Sequence, residues 1–510
     1  MDAPSLSYAR LVANVLAGAG GRLAAILIAL GLATVLVATL GVAAYGTWSF
    51  FFVLIGYHAQ FDFGVSVALE RSVARAAAGG ERGHVAPLLN AGLALTIGLS
   101  VVLQLLLFAV PATWLAGLGE PVAVRQCLLV LPLCLACSNA AAVAGAGLAG
   151  LQRTTTLMLQ RTVIGGVTTL VVAGLALGGV RRLDALLLAS AAGLLATAAS
   201  SWRAVARATA PLPFQPWRTD RRAFREIAWL GGTLQVTTLV AQLGDQGFRL
   251  VLGSHFGSAI MGVYDLASRA AIAPRSLVAP LLVALVPFAA GRERTGDTAA
   301  LSDALRRATI YAALPLLAGT IGGLAVAGPL FTVWIGGPAE TVHAARRLFE
   351  IMLVSLGLQS VASPMIALAR GLGRPAPEAI VTAIAQPLAL VLAWQMSTPT
   401  AAVTVVAIVL IVAAAALWLW LKSLLGVAAL PGPTIARLAL VAAGAGAAGW
   451  ATRRAAEDLS LAPIAVLLLV PAMVTVTTIA LALAAGCVSA HERRTLARLA
   501  GWTGVSGSTT

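Results

Sequence analysis

Two pairs of opposite charge interrupt apolar sequence at helical spacing. Asp245 and Arg249 stand in GDQGFRL, and Asp265 and Arg269 in YDLASRA. Within each pair the partners are one helical turn apart. Each pair could therefore neutralise itself on one helix face, or offer donors and acceptors to a neighbouring helix. Three more charges lie in apolar surroundings. Arg22 follows Gly18, Gly20 and Gly21, Asp62 follows His58 by one turn, and Arg275 has no acidic residue within a turn. An ionised side chain at the centre of a membrane helix costs at least roughly 2.5–3.5 kcal/mol. Such residues therefore read as binding, coupling or gating groups. A guanidinium offers paired donors that match phosphate oxygens. His58 and Asp62 are the candidates for a proton or ion relay, although a hydrogen-bonded packing histidine is the simpler reading of His58.

The elements that carry these charges are membrane helices. Of the 510 residues, 59% are hydrophobic and 10% charged, against roughly 25% charged in soluble domains. Apolar stretches of about 20 residues, enough to cross a bilayer, recur throughout. Fourteen spans are expected, near 12–40, 45–68, 87–112, 122–148, 162–180, 183–202, 227–252, 259–288, 308–334, 346–369, 379–397, 401–421, 435–452 and 463–487. The net charge of +15 sets orientation and does not point to nucleic acid. With a cytoplasmic N-terminus, 23 of the 34 basic residues fall on the cytoplasmic side and 7 on the other, as membrane proteins require.

The longest connection, 203–226, is rich in Pro and Arg and reads as a cytoplasmic linker. It divides an N-terminal lobe (1–202, six helices) from a C-terminal lobe (227–421, six helices). Helices thirteen and fourteen (422–488) and a cytoplasmic tail (489–510) complete the chain. LGVAAYGTWSF (40–50) and FGSAIMGVYDLA (256–267) echo each other: a Gly ends one span, and a Gly beside a Tyr opens the next. Two halves of like topology would be parallel repeats about an axis along the membrane normal.

At about 1.5 Å per residue, Arg22, Asp62 and Arg275 sit some ~12–20 Å from the inner end of their spans. Asp245 and Asp265 sit ~10 Å from the outer end. All interior charge lies on the first two spans of each half, which suggests one shared polar cavity. Asp245 and Arg249 would face Asp265 and Arg269 across the outer, water-filled part of it. Both of those spans belong to the second half, so their bonding would set the angle of the seventh span without joining the halves. Gln242 and Gln246, with Gln60, Gln235, Trp48 and Tyr264, are candidates for hydrogen bonding or stacking against a ligand.

Cys127, Cys134, Cys137 and Cys487 lie in or beside apolar runs. The CxxC of Cys134 and Cys137 has no second ligand pair and reads as helix core. No metal or other cofactor is expected.

LG...YG (Leu40, Gly41, Tyr45, Gly46), FDFGVSVALERSVARA (61–76) and G...G.YDLA (257–267), with Pro274, Pro280 and Pro287 after them, resemble the polysaccharide-transporter flippases. These Wzx-like proteins form a family of the multidrug/oligosaccharidyl-lipid/polysaccharide (MOP) exporter superfamily. The resemblance implies an all-α integral membrane fold of about 14 helices, with two six-helix lobes in a V plus two C-terminal helices. It implies a multi-pass protein of the bacterial inner membrane. It implies flipping of an oligosaccharide unit on undecaprenyl pyrophosphate, with polymerase and glycosyltransferases of the same pathway as partners. Arg22 and Arg275 would take the pyrophosphate, with Asp62 holding an arginine in the empty cavity.

Two readings compete. A multidrug or cation antiporter of the same superfamily would favour an acidic cavity, whereas four Arg stand here against three Asp. A membrane glycosyltransferase or polymerase would display catalytic groups on a large outer loop. The outer loops here, such as GGVRRLD and GGPAETVHA, are short and carry no paired carboxylates, so the chain is not read as an enzyme.

Overall fold

The computed structural model describes residues 28–58, 65–78, 82–109, 117–151, 153–209, 221, 224–225, 236–292, 298–336, 338–427 and 431–487. The protein is all-α. In chain order the helices are α1 (Ile28–Leu40), α2 (Val42–His58), α3 (Val65–Ala78), α4 (Val85–Phe108), α5 (Pro121–Gly150), α6 (Thr154–Leu177), α7 (Leu183–Ala208), α8 (Val236–Phe256) and α9 (Ser258–Ala271). The remainder are α10 (Ala273–Arg292), α11 (Thr298–Trp334), α12 (Ala339–Ser360), α13 (Ser363–Gly371), α14 (Ala376–Trp394), α15 (Pro399–Leu425), α16 (Gly432–Asp458) and α17 (Pro463–Ala484). Among the described residues, helix falls within each of the fourteen expected spans, with 12–27 of the first and 227–235 of the seventh lying outside them. Among the described residues, nine helices are long and apolar enough to cross a membrane, or ten if the pair α12–α13, bent by 40°, counts as one.

Three expected spans are subdivided, and proline explains two of them. The span expected over 259–288 is broken between α9 and α10, just before Pro274. A proline lacks the N–H donor and its ring crowds the carbonyl four residues back. The α12–α13 bend falls before Pro364, the second residue of α13, a first-turn position where its missing donor costs nothing. The span expected over 45–68 appears as α2 and α3, with 59–64 outside the described residues. Elsewhere prolines are carried through: α11 runs 37 residues over Pro315 and Pro329. It begins at Thr298, well before the expected 308, because Arg306 and Arg307 pair with Asp303 at 2.7 and 2.8 Å. That local pairing lets charged sequence continue the helix.

Two compact units emerge. One combines Leu27–Leu266 with Ala379–Val409, the other Ala267–Glu378 with Leu410–Thr510. The first has a core in which Val65, Leu69 and Val73 of α3 meet Leu88 and Leu89 of α4 and Val143 of α5. Cys127, Cys134 and Cys137 are free thiols buried in α5. In the second unit, Val326 of α11 packs with Ala445 and Ala456 of α16 and Val466, Val470 and Val474 of α17. Faces left uncovered are strongly apolar. Leu170 of α6 and Leu468 of α17, each more than 70% exposed, suit contact with lipid chains.

The echo in the sequence is a repeat in the backbone. Gly41 and Gly257 both adopt left-handed φ, +82° and +89°, which glycine reaches without a Cβ penalty. Each ends one helix and lets the next begin at once. Their hydrogen bonds correspond: Gly41 N–H donates to Val37 C=O and Gly257 N–H to Gly253 C=O, at 2.9 and 3.0 Å. The offset of 216 residues continues into the next helical turn (41 to 257, 46 to 262), and the repeated segments pack on one another. A Cβ on Gly46 would overlap the carbonyl oxygen of Ser258, and one on Gly262 would lie 2.5 Å from the carbonyl oxygen of Val42. Val42 is the counterpart of Ser258 under the same offset, so the contact is exchanged symmetrically. This is how two like elements meet about a local two-fold axis.

Candidate functional site

The α2–α9 contact positions the buried charges. Arg249 of α8 reaches across to α9, where its Nη1 donates to Asp265 Oδ1 at 2.6 Å. Its own helix supplies a weaker partner, since Nε stands 3.5 Å from Asp245 Oδ2. The other oxygen of Asp265 accepts from the Tyr45 hydroxyl of α2, also at 2.6 Å. Arg249 further lies 5.4 Å from the centre of the Tyr264 ring, which is held edge-on by Phe248. Arg249 is 4% exposed and Asp265 1%, so both charges are paired inside protein.

Two expectations change. The charges of α8 and α9 do not face one another across a water-filled cleft: Arg249 and Asp265 are in direct contact. The reason is steric, since Gly253 lets α8 approach Gly117, Leu118 and Met261 too closely for intervening solvent. The cluster is also not confined to the second half of the sequence. Tyr45 belongs to the first half and joins the same carboxylate. The echo pointed to this residue; the charge pattern did not, because a tyrosine in apolar sequence carries no charge.

Asp245 is partly exposed, at 31% of its side chain. Arg269 lies half-buried one turn beyond Asp265. Gln246 is buried, and neither amide atom has a hydrogen-bond partner among the described residues. Trp48 and Tyr264 are almost fully buried, Trp48 stacked on Phe52, and so serve as packing here, offering no surface to a ligand. Arg22, Gln60, Asp62 and Gln235 lie outside the described residues, as do the side chains of His58 and Gln242. The opposite face of α8 packs Gly244 and Gly247 against Gln386 and Leu390 of α14.

Arg275 lies in the other compact unit, in a cleft of about 220 Å³ between α10, α13 and the start of α14. Its side chain is exposed, with no acidic partner among the described residues. Further along the same cleft Arg370 grips Glu378 through two bonds, Nε to Oε2 at 2.8 Å and Nη2 to Oε1 at 2.5 Å. Ser363 also lines it. Arg370 and Glu378 are far from Arg275 in sequence, and no local spacing marks them.

Solved structures share this fold. A multidrug resistance MATE family transporter of the MOP superfamily, in its inward-facing conformation, is 17% identical with a TM-score of 0.65, over 78% of this chain and 94% of that one. Lipid II flippase MurJ in an inward closed conformation is 12% identical with a TM-score of 0.72, over 91% and 98%. A MOP superfamily transporter from Pyrococcus furiosus, described as having a binding pocket of reversed polarity, is 15% identical with a TM-score of 0.56, over 82% and 95%. No curated protein matches the chain. The family model for polysaccharide biosynthesis proteins matches residues 11–290. That is more than half of the chain and takes in both echo segments and the Tyr45–Asp265–Arg249 cluster, and the protein belongs to the polysaccharide biosynthesis protein family.

Proposed function

We propose that this protein is a flippase that turns a lipid-linked oligosaccharide, a repeat unit on undecaprenyl pyrophosphate, across the bacterial inner membrane by alternating access. Its N-terminus lies in the cytoplasm, and it works beside the glycosyltransferases and polymerase that make and consume the unit. Residues 1–202 and 227–421 act as its two lobes. The observation that carries the reading is the balance of interior charge among the described residues. Asp265 is occupied by Arg249 and Tyr45, and Asp245 stands against Arg249, whereas Arg275 has no acidic partner there. Spare positive charge suits an anionic headgroup. A cation antiporter would need a spare carboxylate in its place, and family membership supplies the polysaccharide context.

In this reading Arg22 and Arg275 contact the pyrophosphate, and His58 and Asp62 are the residues for ion coupling. The Tyr45–Asp265–Arg249 cluster closes the outer end of the path while the inner end is open. The test is export of polymer from cells whose only copy carries a substitution at Arg22. Arg22→Glu should abolish export while the protein still inserts. Arg22→Lys should retain part of it, because charge remains but the paired donors are lost. Wild-type export by Arg22→Glu rejects the assignment.

A further inference from the structure

The cleft that holds Arg275 combines two chemistries. Leu282 and Val286 of α10 and Ile366 and Ala367 of α13 form an apolar floor, and Arg275, Ser363, Arg370 and Glu378 supply polar groups. From Arg275 to Val286 it extends about 16 Å along α10 at 1.5 Å per residue. The Arg370 end is tightly packed: a Cβ on Gly371 would overlap the carbonyl oxygen of Val286. Arg370 adjoins the chain segment that the distribution of basic residues assigns to the cytoplasmic side, so the cleft leads from that end toward the middle of the membrane. Within the Arg370–Glu378 pair exposure is unequal, 56% against 15% of the side chain. Glu378 is sunk into the wall while Arg370 keeps open donors. Its Nε and Nη2 are committed to Glu378, but a guanidinium has five N–H groups, and those of Nη1 take no part in that pair.

We propose that this cleft is a loading site for a phosphate-bearing lipid, in which Arg370 receives the headgroup, Arg275 accepts it deeper in, and the apolar floor carries the first part of the chain. The proposal deepens the flippase reading and rests on it for direction of travel only; the binding chemistry stands on the cleft itself. Glu378 has a defined effect here. It orients the Arg370 fork, and its negative charge repels the incoming anion, which keeps occupancy reversible. A site that held its anion without such opposition would bind the headgroup and fail to pass it on.

The probe is farnesyl pyrophosphate, a short polyprenyl pyrophosphate, titrated into the full-length protein in detergent and followed by native mass spectrometry. Inorganic pyrophosphate and farnesol serve as the two half-ligands. Farnesyl pyrophosphate should bind more tightly than either. Arg275→Gln and Arg370→Gln should each weaken it about tenfold or more, the usual worth of a charge-assisted hydrogen bond. Glu378→Gln should tighten it severalfold, a gain that misfolding cannot produce. Inorganic pyrophosphate binding as tightly as the amphiphile would assign the cleft to a free anion and overturn the lipid site. Unchanged or weakened binding in Glu378→Gln would reduce the Arg370–Glu378 pair to a structural clasp and overturn the loading role as well. Because binding is read on purified protein, these results are independent of the Arg22 export assay, and either reading can fail alone.

Discussion

The Tyr45 hydroxyl donates to Asp265 at 2.6 Å, and the two residues stand 220 positions apart. One carboxylate thus holds a neutral donor from the first half of the chain and a guanidinium from the second. The neutral bond is the one that can be removed without stranding a charge. The α2–α9 contact around it is made by glycines, which gain from close packing and hold no charge. In the proposed alternating-access cycle this combination would suit a joint between the halves: the ion pair lies within the second half, while the Tyr45 hydroxyl bond crosses from the first.

Tyr45→Phe should therefore weaken the crossing without damaging the fold. Hydrogen bonds between membrane helices are worth about 0.6–2 kcal/mol, which shifts a two-state equilibrium roughly 3- to 30-fold. Spin labels at Ala43 and Ala259, both exposed and related by the 216-residue offset, would report it. The longer-distance population should grow in Tyr45→Phe. An unchanged distribution would show that the hydroxyl does not contribute to closure.

Substitutions at the two aspartates should rank clearly. Asp265→Asn leaves the buried Arg249 with the 3.5 Å contact to Asp245 as its carboxylate partner among the described residues, and breaking a buried pair from one side costs about 3–5 kcal/mol. Asp245→Asn removes the longer, partly exposed contact and should cost about 1 kcal/mol or less. Thermal unfolding in detergent would separate them. Equal losses would mean that Arg249 divides its charge evenly between the two carboxylates.

Adding bulk at the glycine contact offers a steric route to the same opening. Gly46→Leu and Gly262→Leu each place atoms where the opposing helix has backbone oxygen, so neither can be absorbed by a rotamer change. Both should force the Ala43–Ala259 distance to its longer value and reduce export severalfold or more. A closed distance with full export in either variant would contradict the close approach of α2 and α9.

Topology can be read by thiol labelling in a cysteine-free background. A cysteine at position 212, in the linker, should react only from the cytoplasmic side, and one at Ala339, the start of α12, only from the outside. Reaction of both from the same side would overturn the assignment made from the basic residues.

Much of the fold was legible in the sequence because its causes are local. Apolar runs of membrane-spanning length specify helices, since a backbone in lipid must satisfy its own hydrogen bonds. Among the described residues, helix accordingly falls within each of the fourteen expected spans. The cost of a charge in lipid singled out Asp245, Arg249, Asp265, Arg269 and Arg275, and the repeated Gly and Tyr pointed to the two segments that the structure packs together. Partner choice was not local. Spacing offers Arg249 a carboxylate one turn back and Asp265 the arginine one turn on, with nothing to rank either against a contact between helices. The ranking comes from the turn at Gly257, which folds α9 back beside α8, and from the glycines that draw α2 onto α9. Only then do Tyr45 and Arg249 reach the same carboxylate. The cleft beside Arg275 arose in the same way. Arg370 and Glu378 join it because the α12–α13 bend and the close fit of Gly371 on α10 bring them there, a placement that depends on helix angles and packing distances and leaves no periodic mark in the chain.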